Sequence, residues 1–260
     1  MAIITPLTDR FIVVTRAAEQ ASRFVRLLGG AGATAIVCPT IKIEPLEDWS
    51  KVDAAVNSLR SGNYRWAAFT SANGVENFLS RISGPASEAF GDTKVAAVGS
   101  ATEVLLTAAG LNVELRPGTF TAQALADALG SGTGRILLPR AEKVPPGMVE
   151  TLSRNGWTAD EVAVYRTVPA ATDTPEAEAV AEARFDAVSF TSASTVEGFA
   201  AMFPALASET LSPSTTRPPY VACIGPVTRA ACEAAGMRVD VVAGEHTTDG
   251  LLRALASLFP

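Results

Sequence analysis

The segment Phe69–Phe78 reads FTSANGVENF, and Phe190–Phe199 reads FTSASTVEGF. The two segments agree at Phe, Thr, Ser, Ala, Val, Glu and Phe, so one short motif occurs twice in the chain. Each copy begins at the end of an apolar run and passes through Thr-Ser into a helical pattern, which is typical of a strand that leads directly into a capped helix. A motif repeated in this way indicates a duplicated fold.

A longer match extends the repeat. Gly99–Leu129 aligns on Gly225–Leu255 without a gap, with identities concentrated at Gly, Thr, Ala and Leu. A weaker third match places Arg16-Ala17 on Arg140-Ala141 and Pro45 on Pro169. Because the three matches are collinear, we interpret the chain as two copies of one ancestral unit.

Each copy alternates short apolar runs with helical patterns. Three predicted helices have both bounds, and they cover Ala18–Leu28, Ala101–Ala109 and Met148–Arg154. Three more are predicted from their starts, near Asn73 and near the capping residues Thr121 and Thr247. Strands that alternate with helices predict an α/β fold with parallel sheets, and near-continuous apolar strands predict sheets buried on both faces.

Two linkers predict how the lobes are connected. Val37–Pro45 (VCPTIKIEP) and Glu161–Pro169 (EVAVYRTVP) are extended, Pro-bounded and in equivalent places of the two copies. We expect residues 39–45 and 161–169 to pair as a two-stranded antiparallel ladder. Lobe 1 would then comprise residues 1–38 and 170–260, and lobe 2 residues 46–160, with hinge motion between them.

Composition excludes several classes of protein. Hydrophobic residues make up 48% and charged residues 18%, and the net charge of −6 comes without a basic stripe, so no nucleic-acid partner is expected. No transmembrane segment or signal peptide is visible, and Cys38, Cys223 and Cys232 lie in apolar surroundings. We expect a cytoplasmic monomer with reduced, buried thiols.

Candidate binding residues follow the predicted strands. Ligands of parallel sheets bind at the carboxyl ends of the strands, where helix N-termini offer unpaired N–H donors to anions. The residues at these positions are Thr15, Arg16, Ser71, Ala72, Asn73, Ser100, Ala101, Thr102, Arg140, Thr191, Ser192, Ala193, Ser194, Pro226, Val227 and Thr228. Their hydroxyls can equally serve as helix caps, and both arginines as partners in surface ion pairs, so the set indicates a polycarboxylate site only collectively.

No metal-ligand cluster, P-loop, GxGxxG or GxSxG motif is present, so we expect no cofactor and no metal. The lone histidine, His246, is interpreted as a surface loop residue. Tyr165 stands where the other copy has Ile41, and it is either a strand aromatic or a phenol that donates to a leaving group. Catalysis would rest on positioning and oriented donors.

Several pieces, in order, resemble the uroporphyrinogen-III synthase family across nearly the whole chain. They are FTSANGVENF, VAAVGSAT, LLTAAGL, LLPRAE, VYRTVP, VSFTSASTVEGF and ACIGPVTRAACEAAGM. The resemblance implies two flavodoxin-like lobes joined by a β-ladder. It places the family's active-site tyrosine on Tyr165, the threonine of its IGPTT-like turn on Thr228, and its turn serines on Ser71, Ser192 and Ser194. Val227 departs from that pattern.

The resemblance also implies a reaction that needs no cofactor. Hydroxymethylbilane, a linear tetrapyrrole polycarboxylate, loses water and closes through a spiro intermediate that inverts its last ring, giving uroporphyrinogen III. Transient contact with the enzyme that produces hydroxymethylbilane is a further expectation. The alternatives are a non-catalytic bilobal protein that binds a small anion, and a glycosyl or phosphoryl transferase.

Overall fold

The structure is a computed structural model that describes residues 6–144, 146–214 and 219–259. The chain divides into two compact units, Met1–Lys42 with Val168–Pro260, and Ile43–Thr167. The first is called the outer unit, because it contains both ends of the sequence, and the second the inner unit.

Short strands alternate with helices along the sequence, as predicted. The strands are β1 Phe11–Val14, β2 Thr34–Val37, β3 Ile41–Glu44, β4 Trp66–Phe69, β5 Lys94–Ala97, β6 Val113–Leu115, β7 Gly134–Ala141, β8 Trp157–Pro169, β9 Ala187–Phe190, β10 Tyr220–Cys223 and β11 Val241–Val242. The α-helices are α1 Ala18–Gly30, α2 Ser50–Arg60, α3 Ala72–Leu79, α4 Ala86–Phe90, α5 Ser100–Ala108, α6 Ala122–Leu129, α7 Met148–Arg154, α8 Pro175–Ala181, α9 Ala193–Met202, α10 Pro226–Ala234 and α11 Thr248–Ala256. Leu206–Thr210 forms a π-helical turn.

The two sheets have the same strand order, which confirms the predicted fold class. The outer unit's sheet runs β11-β10-β9-β1-β2, and the inner unit's runs β3-β8-β7-β4-β5-β6. Strands β1, β2, β9, β10 and β11 pair in parallel, as do β4 to β8. If the five parallel strands of the inner unit are numbered with β7 as strand 1 and β8 as strand 2, both sheets have the strand order 2-1-3-4-5 of flavodoxin.

Each sheet combines strands from both copies of the repeat. The first copy supplies β1 and β2 to the outer unit and β4, β5 and β6 to the inner unit, whereas the second supplies β7 and β8 to the inner unit and β9 to β11 to the outer. The copies have therefore exchanged their halves, and the chain must cross from one unit to the other twice.

Both predicted linkers are strands of the six-stranded sheet. β3 lies at the edge of that sheet with β8 as its neighbour. β8 starts at Trp157, earlier than the extended segment predicted from Glu161, because its first half pairs in parallel with β7. One strand thus completes the inner sheet and continues into the crossing.

Thr40 anchors both crossings to the outer unit. It is fully buried, its N–H donates to the Thr15 carbonyl at 3.1 Å, and its carbonyl accepts from Ala170 N–H at 3.3 Å. Its hydroxyl donates to the Thr195 carbonyl, in the first turn of α9, at 2.8 Å. The segment that leaves the outer unit and the segment that returns are therefore held at one residue.

Both faces of each sheet are buried, as the apolar strands predicted. In β1, Val13 packs into one hydrophobic cluster of the outer unit, and its neighbours Ile12 and Val14 pack into the other. The helix predictions are also confirmed. α7 has the predicted bounds, and Thr121 and Thr247 cap α6 and α11 by accepting from backbone N–H groups at 3.0 Å.

The three cysteines are free and buried, as predicted. Burial, with a smaller contribution from the charge of Glu176, raises the pKa of Cys38 from 9.0 to about 11. A hydrogen bond with Cys223 and then burial raise the pKa of Cys232. Cys38 and Cys232 therefore remain protonated thiols in the fold near neutral pH. Among the described helices, none has both the length and the apolar character needed to span a bilayer.

We predict that a thiol reagent at pH 8 leaves the native protein unlabelled and labels three cysteines after denaturation. Because the pKa of Cys38 is raised in the folded state, the protonated thiol contributes to the free energy of unfolding. This contribution is present below pH 9.0 and is lost as pH rises through about 11. Mass spectrometry after timed labelling measures the first effect. Native labelling as fast as denatured labelling would contradict the buried assignment.

Gly198 allows α9 to approach the Thr40 junction closely. A Cβ atom there would lie 2.5 Å from the Thr40 carbonyl oxygen, a backbone atom that cannot easily move. We predict that Gly198→Ala lowers the free energy of unfolding by about 1–3 kcal/mol, measured by urea denaturation.

The control is Gly29→Ala in α1, where an added Cβ meets nothing within 4 Å. Since alanine is the better helix former, that variant should be neutral or more stable by up to about 1 kcal/mol. Equal destabilisation of the two variants would show that the Thr40 contact is not responsible.

Candidate active site

The two FTS turns of the repeated motif have the predicted capped geometry. Ser71 Oγ accepts from Gly74 N–H at 3.0 Å at the start of α3, and Ser192 Oγ accepts from Thr195 N–H at 3.3 Å at the start of α9. Ser194 Oγ lies 2.9 Å from Ser192 Oγ. Both turns follow the carboxyl end of a central strand, β4 or β9, so each sheet presents one at its ligand-binding edge.

A second pair of turns leaves its backbone donors uncapped. α5 begins after Gly99 and α10 after Gly225, and neither helix has a side-chain cap. The first N–H groups of such helices have no partner within the helix and carry partial positive charge. Residues 100–102 and 227–228 therefore offer donors to an anion, whereas Pro226 has no N–H to offer.

A bulge in β8 determines where Tyr165 points. Arg140 pairs with Ala163 and Ala141 with Tyr165, so Val164 is skipped in the ladder. In a regular strand neighbouring side chains point to opposite faces, but Val164 and Tyr165 both pack into the same hydrophobic cluster of the inner unit. The extra residue thus turns the phenol onto the sheet face that carries α3, as bulges near active sites often do.

The Tyr165 hydroxyl is held by the FTS turn of its own unit. Tyr165 is 7% exposed, and its hydroxyl oxygen lies 3.2 Å from Ser71 Oγ. Ser71 Oγ is itself fixed by accepting from Gly74 N–H. The phenol is therefore a buried polar group beside a carboxyl-edge turn. This position brings together two side chains that are 94 residues apart in the sequence.

Arg140 is buried, unlike a surface arginine. Its side chain is 4% exposed, and Nη1 donates to Glu161 at 2.5 Å, whose side chain is 42% exposed. Its Nε is buried and has no hydrogen-bond partner among the described residues. A buried donor without an acceptor costs about 1–3 kcal/mol, so a ligand carboxylate that reached this N–H would be stabilised.

Other predicted site residues have structural partners. Thr15 is fully buried, and its hydroxyl donates to the Ser189 carbonyl at 2.8 Å. Arg16 is half-buried and donates through Nε to Gln20 at 3.2 Å. Thr102 and Thr228 lie on the buried faces of α5 and α10, while Val227 is 50% exposed. Thr70, Ala72, Asn73, Thr191 and Ala193 are half-buried at the FTS turns.

One residue at the sheet edge was missed by the sequence reasoning. His246 is half-buried, and a Cβ atom at Gly225 would lie 3.3 Å from its ring. The imidazole therefore packs against the turn that starts α10. The gap-free alignment of the two copies contained a signal for this position, since it pairs Gly99 with Gly225 and Phe120 with His246.

A cavity of about 540 Å³ lies elsewhere, at the opposite end of the inner sheet. Its lining includes Arg65, Thr93 and Gly134, which stand at the amino ends of β4, β5 and β7. Parallel sheets bind ligands at the other edge, so the candidate site is assigned to the turns and not to this cavity. Within the described ranges, no three His, Cys, Asp or Glu side chains are grouped to hold a metal ion.

These features define a class of protein: a duplicated α/β enzyme with two flavodoxin-like sheets, polar turns at the carboxyl edge of each, and a buried tyrosine beside one of them. A family model described as "Uroporphyrinogen-III synthase HemD" matches residues 22–253. The chain therefore belongs to the uroporphyrinogen-III synthase family.

Two relatives agree with this assignment, and a solved structure has a similar fold. The chain is 31% identical over 256 residues to the uroporphyrinogen-III synthase of Synechococcus elongatus, covering 96% of each chain. It is 30% identical to that of Chlorobaculum parvum, over 89% of this chain and 92% of the relative. The fold is similar to a crystal structure of mutant uroporphyrinogen III synthase from Thermus thermophilus, with a TM-score of 0.68, 21% identity, and 95% and 98% coverage.

The Ser71–Tyr165 contact should appear as an energetic coupling. We predict that Ser71→Ala and Tyr165→Phe each lower the free energy of unfolding by about 1 kcal/mol, since one removes a cap and the other a hydrogen bond. The double variant should lose less than the sum, with a coupling energy of about 0.5–1.5 kcal/mol by urea denaturation.

Thr121→Ala provides the matched control within the same unit. Thr121 caps α6 by accepting from Ala124 N–H at 3.0 Å, and no hydrogen bond joins it to Tyr165 among the described residues. Its effect should add to that of Tyr165→Phe within about 0.5 kcal/mol. If both cycles were additive, the 3.2 Å contact would not be a stabilising hydrogen bond.

Proposed function

We propose that this chain converts hydroxymethylbilane to uroporphyrinogen III, with Tyr165 assisting the departure of the terminal hydroxyl. The observation that carries the role of Tyr165 is its buried hydroxyl, 3.2 Å from Ser71 Oγ at the carboxyl edge of the inner sheet. The overall reaction is the activity of the family to which the chain belongs.

The reaction mainly requires that the substrate be held in one shape. The bilane loses its terminal hydroxyl as water, leaving an electrophilic azafulvene. Attack by the substituted carbon of the far ring gives the spiro intermediate, whereas attack by its free carbon gives the product without inversion. Since the second closure occurs without an enzyme, the protein must hold the far ring so that the first is favoured, which is catalysis by positioning.

Tyr165 is suited to the first step. A phenol O–H can donate to the leaving hydroxyl as the carbon–oxygen bond breaks, and a buried donor is stronger than an exposed one because water does not compete. In this proposal Ser71 Oγ–H donates to the phenol oxygen at 3.2 Å, which leaves the phenol O–H available for the leaving hydroxyl. The bulge at Val164 turns the phenol onto the sheet face that carries α3. Tyr165 is therefore proposed as the catalytic donor and Ser71 as its positioning residue.

The acetate and propionate groups of the bilane need cationic or N–H partners. The uncapped turns at residues 99–102 and 225–228 offer backbone donors, and Arg140 offers an Nε–H without an acceptor in the described part of the chain. Within the outer unit, Val227 is half exposed in the first turn of α10 and suits an apolar contact with a pyrrole ring. The hydroxyls of Ser192 and Ser194 are also proposed to contact the substrate.

The setting of the reaction is proposed from the same chemistry. Three reduced thiols suit a reducing compartment, so we place the protein in the cytoplasm, as a monomer. Because the free bilane closes spontaneously to the wrong isomer, transient contact with the enzyme that releases it would raise the yield of the correct one.

The decisive assay couples the protein to an enzyme that produces hydroxymethylbilane and separates the oxidised products by chromatography. Wild-type protein should shift the product from the I to the III isomer. For Tyr165→Phe we predict a fall in kcat/KM of about 100- to 10,000-fold, as expected when a positioned proton donor is lost.

The control is Tyr64→Phe, which removes another buried phenol of the inner unit. Tyr64 is hydrogen-bonded to Asp160 and lies at the amino end of β4. Its kcat/KM should remain within about twofold of wild type. An unchanged isomer ratio with wild-type protein would refute the reaction, and full activity of Tyr165→Phe would refute only the role of the tyrosine.

A further inference from the structure

Arg140 and Glu161 form an ion pair with one buried end and one exposed end. Both side chains project from the same face of the inner sheet, because Glu161 lies opposite Leu138 in the ladder and Arg140 is two residues further along β7. The Arg140 side chain is 4% exposed, whereas that of Glu161 is 42% exposed. Solvent therefore reaches the pair from the side of Glu161.

The protein satisfies the guanidinium of Arg140 only in part. Glu161 accepts from Nη1 at 2.5 Å, but Nε is buried without a hydrogen-bond partner among the described residues. A buried charge and a buried donor without an acceptor both cost stability, so an apolar side chain would fill this position at lower cost. Arg140 also lies where β7 ends beside β4, the point of the flavodoxin order at which parallel sheets bind ligands. A ligand explains this arginine better than packing does.

The other copy of the repeat shows that the fold does not require Glu161. Its position is occupied there by Val37, which lies opposite Val14 just as Glu161 lies opposite Leu138. An apolar residue is therefore compatible with this place in the sheet. The carboxylate is particular to the inner unit, where its partner is the buried Arg140.

A ligand carboxylate cannot simply be added to the existing pair. A second carboxylate is close, since the pKa of Glu150 is lowered by hydrogen bonds from the backbone N–H groups of Glu150 and Gly147 and further by the charge of Arg140. An incoming anion would be repelled by both glutamates. Glu161 is the one that can leave, because its side chain is partly in solvent, whereas Glu150 accepts from Gly147 N–H at 2.7 Å.

We propose that Glu161 occupies Arg140 in the free protein and is displaced by one carboxylate of the tetrapyrrole. This inference rests on the proposed function, because the displacing group is an acetate or propionate of the substrate. Such a carboxylate can accept from two N–H groups along one edge of the guanidinium, whereas Glu161 accepts from Nη1. Glu161 thus determines specificity: any anion must compete with it, and a polycarboxylate held at several points does so better than a single small anion.

Removing the internal competitor should tighten binding while it destabilises the free protein. For Glu161→Gln we expect KM for hydroxymethylbilane to fall about 3- to 10-fold, with kcat within about twofold of wild type. The melting temperature of the free protein should fall by about 2–6 °C, because the buried guanidinium loses its charged partner. Saturating uroporphyrinogen III, added anaerobically, should raise the melting temperature more in the variant than in the wild type. A residue that merely held Arg140 in place would lower stability and raise KM together.

Asp160→Asn is the matched control. Asp160 precedes Glu161 in β8 and points to the other face of the sheet, where it pairs with Arg135 at 2.6 Å. Both substitutions change the net charge equally, so an effect of overall charge on substrate encounter would appear in both. KM of Asp160→Asn should stay within about twofold of wild type.

Arg140→Met removes the group for which the two carboxylates compete. Its KM should rise about 10-fold, while the melting temperature stays at or above that of wild type because an under-satisfied buried charge is gone. Adding Glu161→Gln to this variant should then change KM by less than about twofold, since the two sites act as a unit.

The outcomes distinguish this inference from the proposed function. A product that stays the I isomer with wild-type protein refutes the function. If the III isomer forms, an unchanged or raised KM for Glu161→Gln overturns the exchange. A fall in KM that persists in the Arg140→Met background overturns it equally, because the competition would not be for Arg140.

Discussion

The rest of the structure depends on the anchoring of two chain crossings at Thr40. Because the copies exchanged halves, neither sheet can be completed unless the chain leaves the outer unit and returns to it. Thr40 holds the departing segment through Thr15, the returning segment through Ala170, and the first turn of α9 through its hydroxyl. Since α9 begins at the second FTS turn, the junction that completes the fold also fixes part of the candidate site.

Duplication gives each unit the same kinds of turn at the carboxyl edge of its sheet. Residues that differ between the two copies are therefore expected to give each unit its own role. Both units have a capped serine turn and an uncapped glycine turn, so both offer anion donors. The inner unit has the phenol of Tyr165 at a position where the aligned residue of the other copy is Ile41. The outer unit alone has an imidazole, where the other copy has Phe120. The two units therefore offer different side chains, each at the edge of its own sheet.

The sequence was sufficient for the fold because local signals decided each element. Apolar runs predicted the strands, and Thr121 and Thr247 predicted helix starts, since a cap needs only its own turn. The bulge at Val164 could not be predicted, because it depends on how β8 is registered against β7. The contact of His246 with Gly225 could not be predicted for a similar reason, since it depends on β10 and β11 lying side by side, which the alternating pattern does not specify.

A net charge of −6 does not contradict the binding of a polycarboxylate. The net charge and the local charges affect two different quantities, the rate of encounter and the affinity. The overall field mainly affects the rate of encounter, and it is screened over about 8 Å at physiological ionic strength. Affinity is decided within hydrogen-bond distance, where the proposed donors are oriented N–H groups and the buried guanidinium of Arg140. The acidic composition argued against a nucleic-acid partner, but it carried little information about an anion site built from helix ends. Such a site is created by the fold, and it appears in the sequence only as small polar residues after apolar strands.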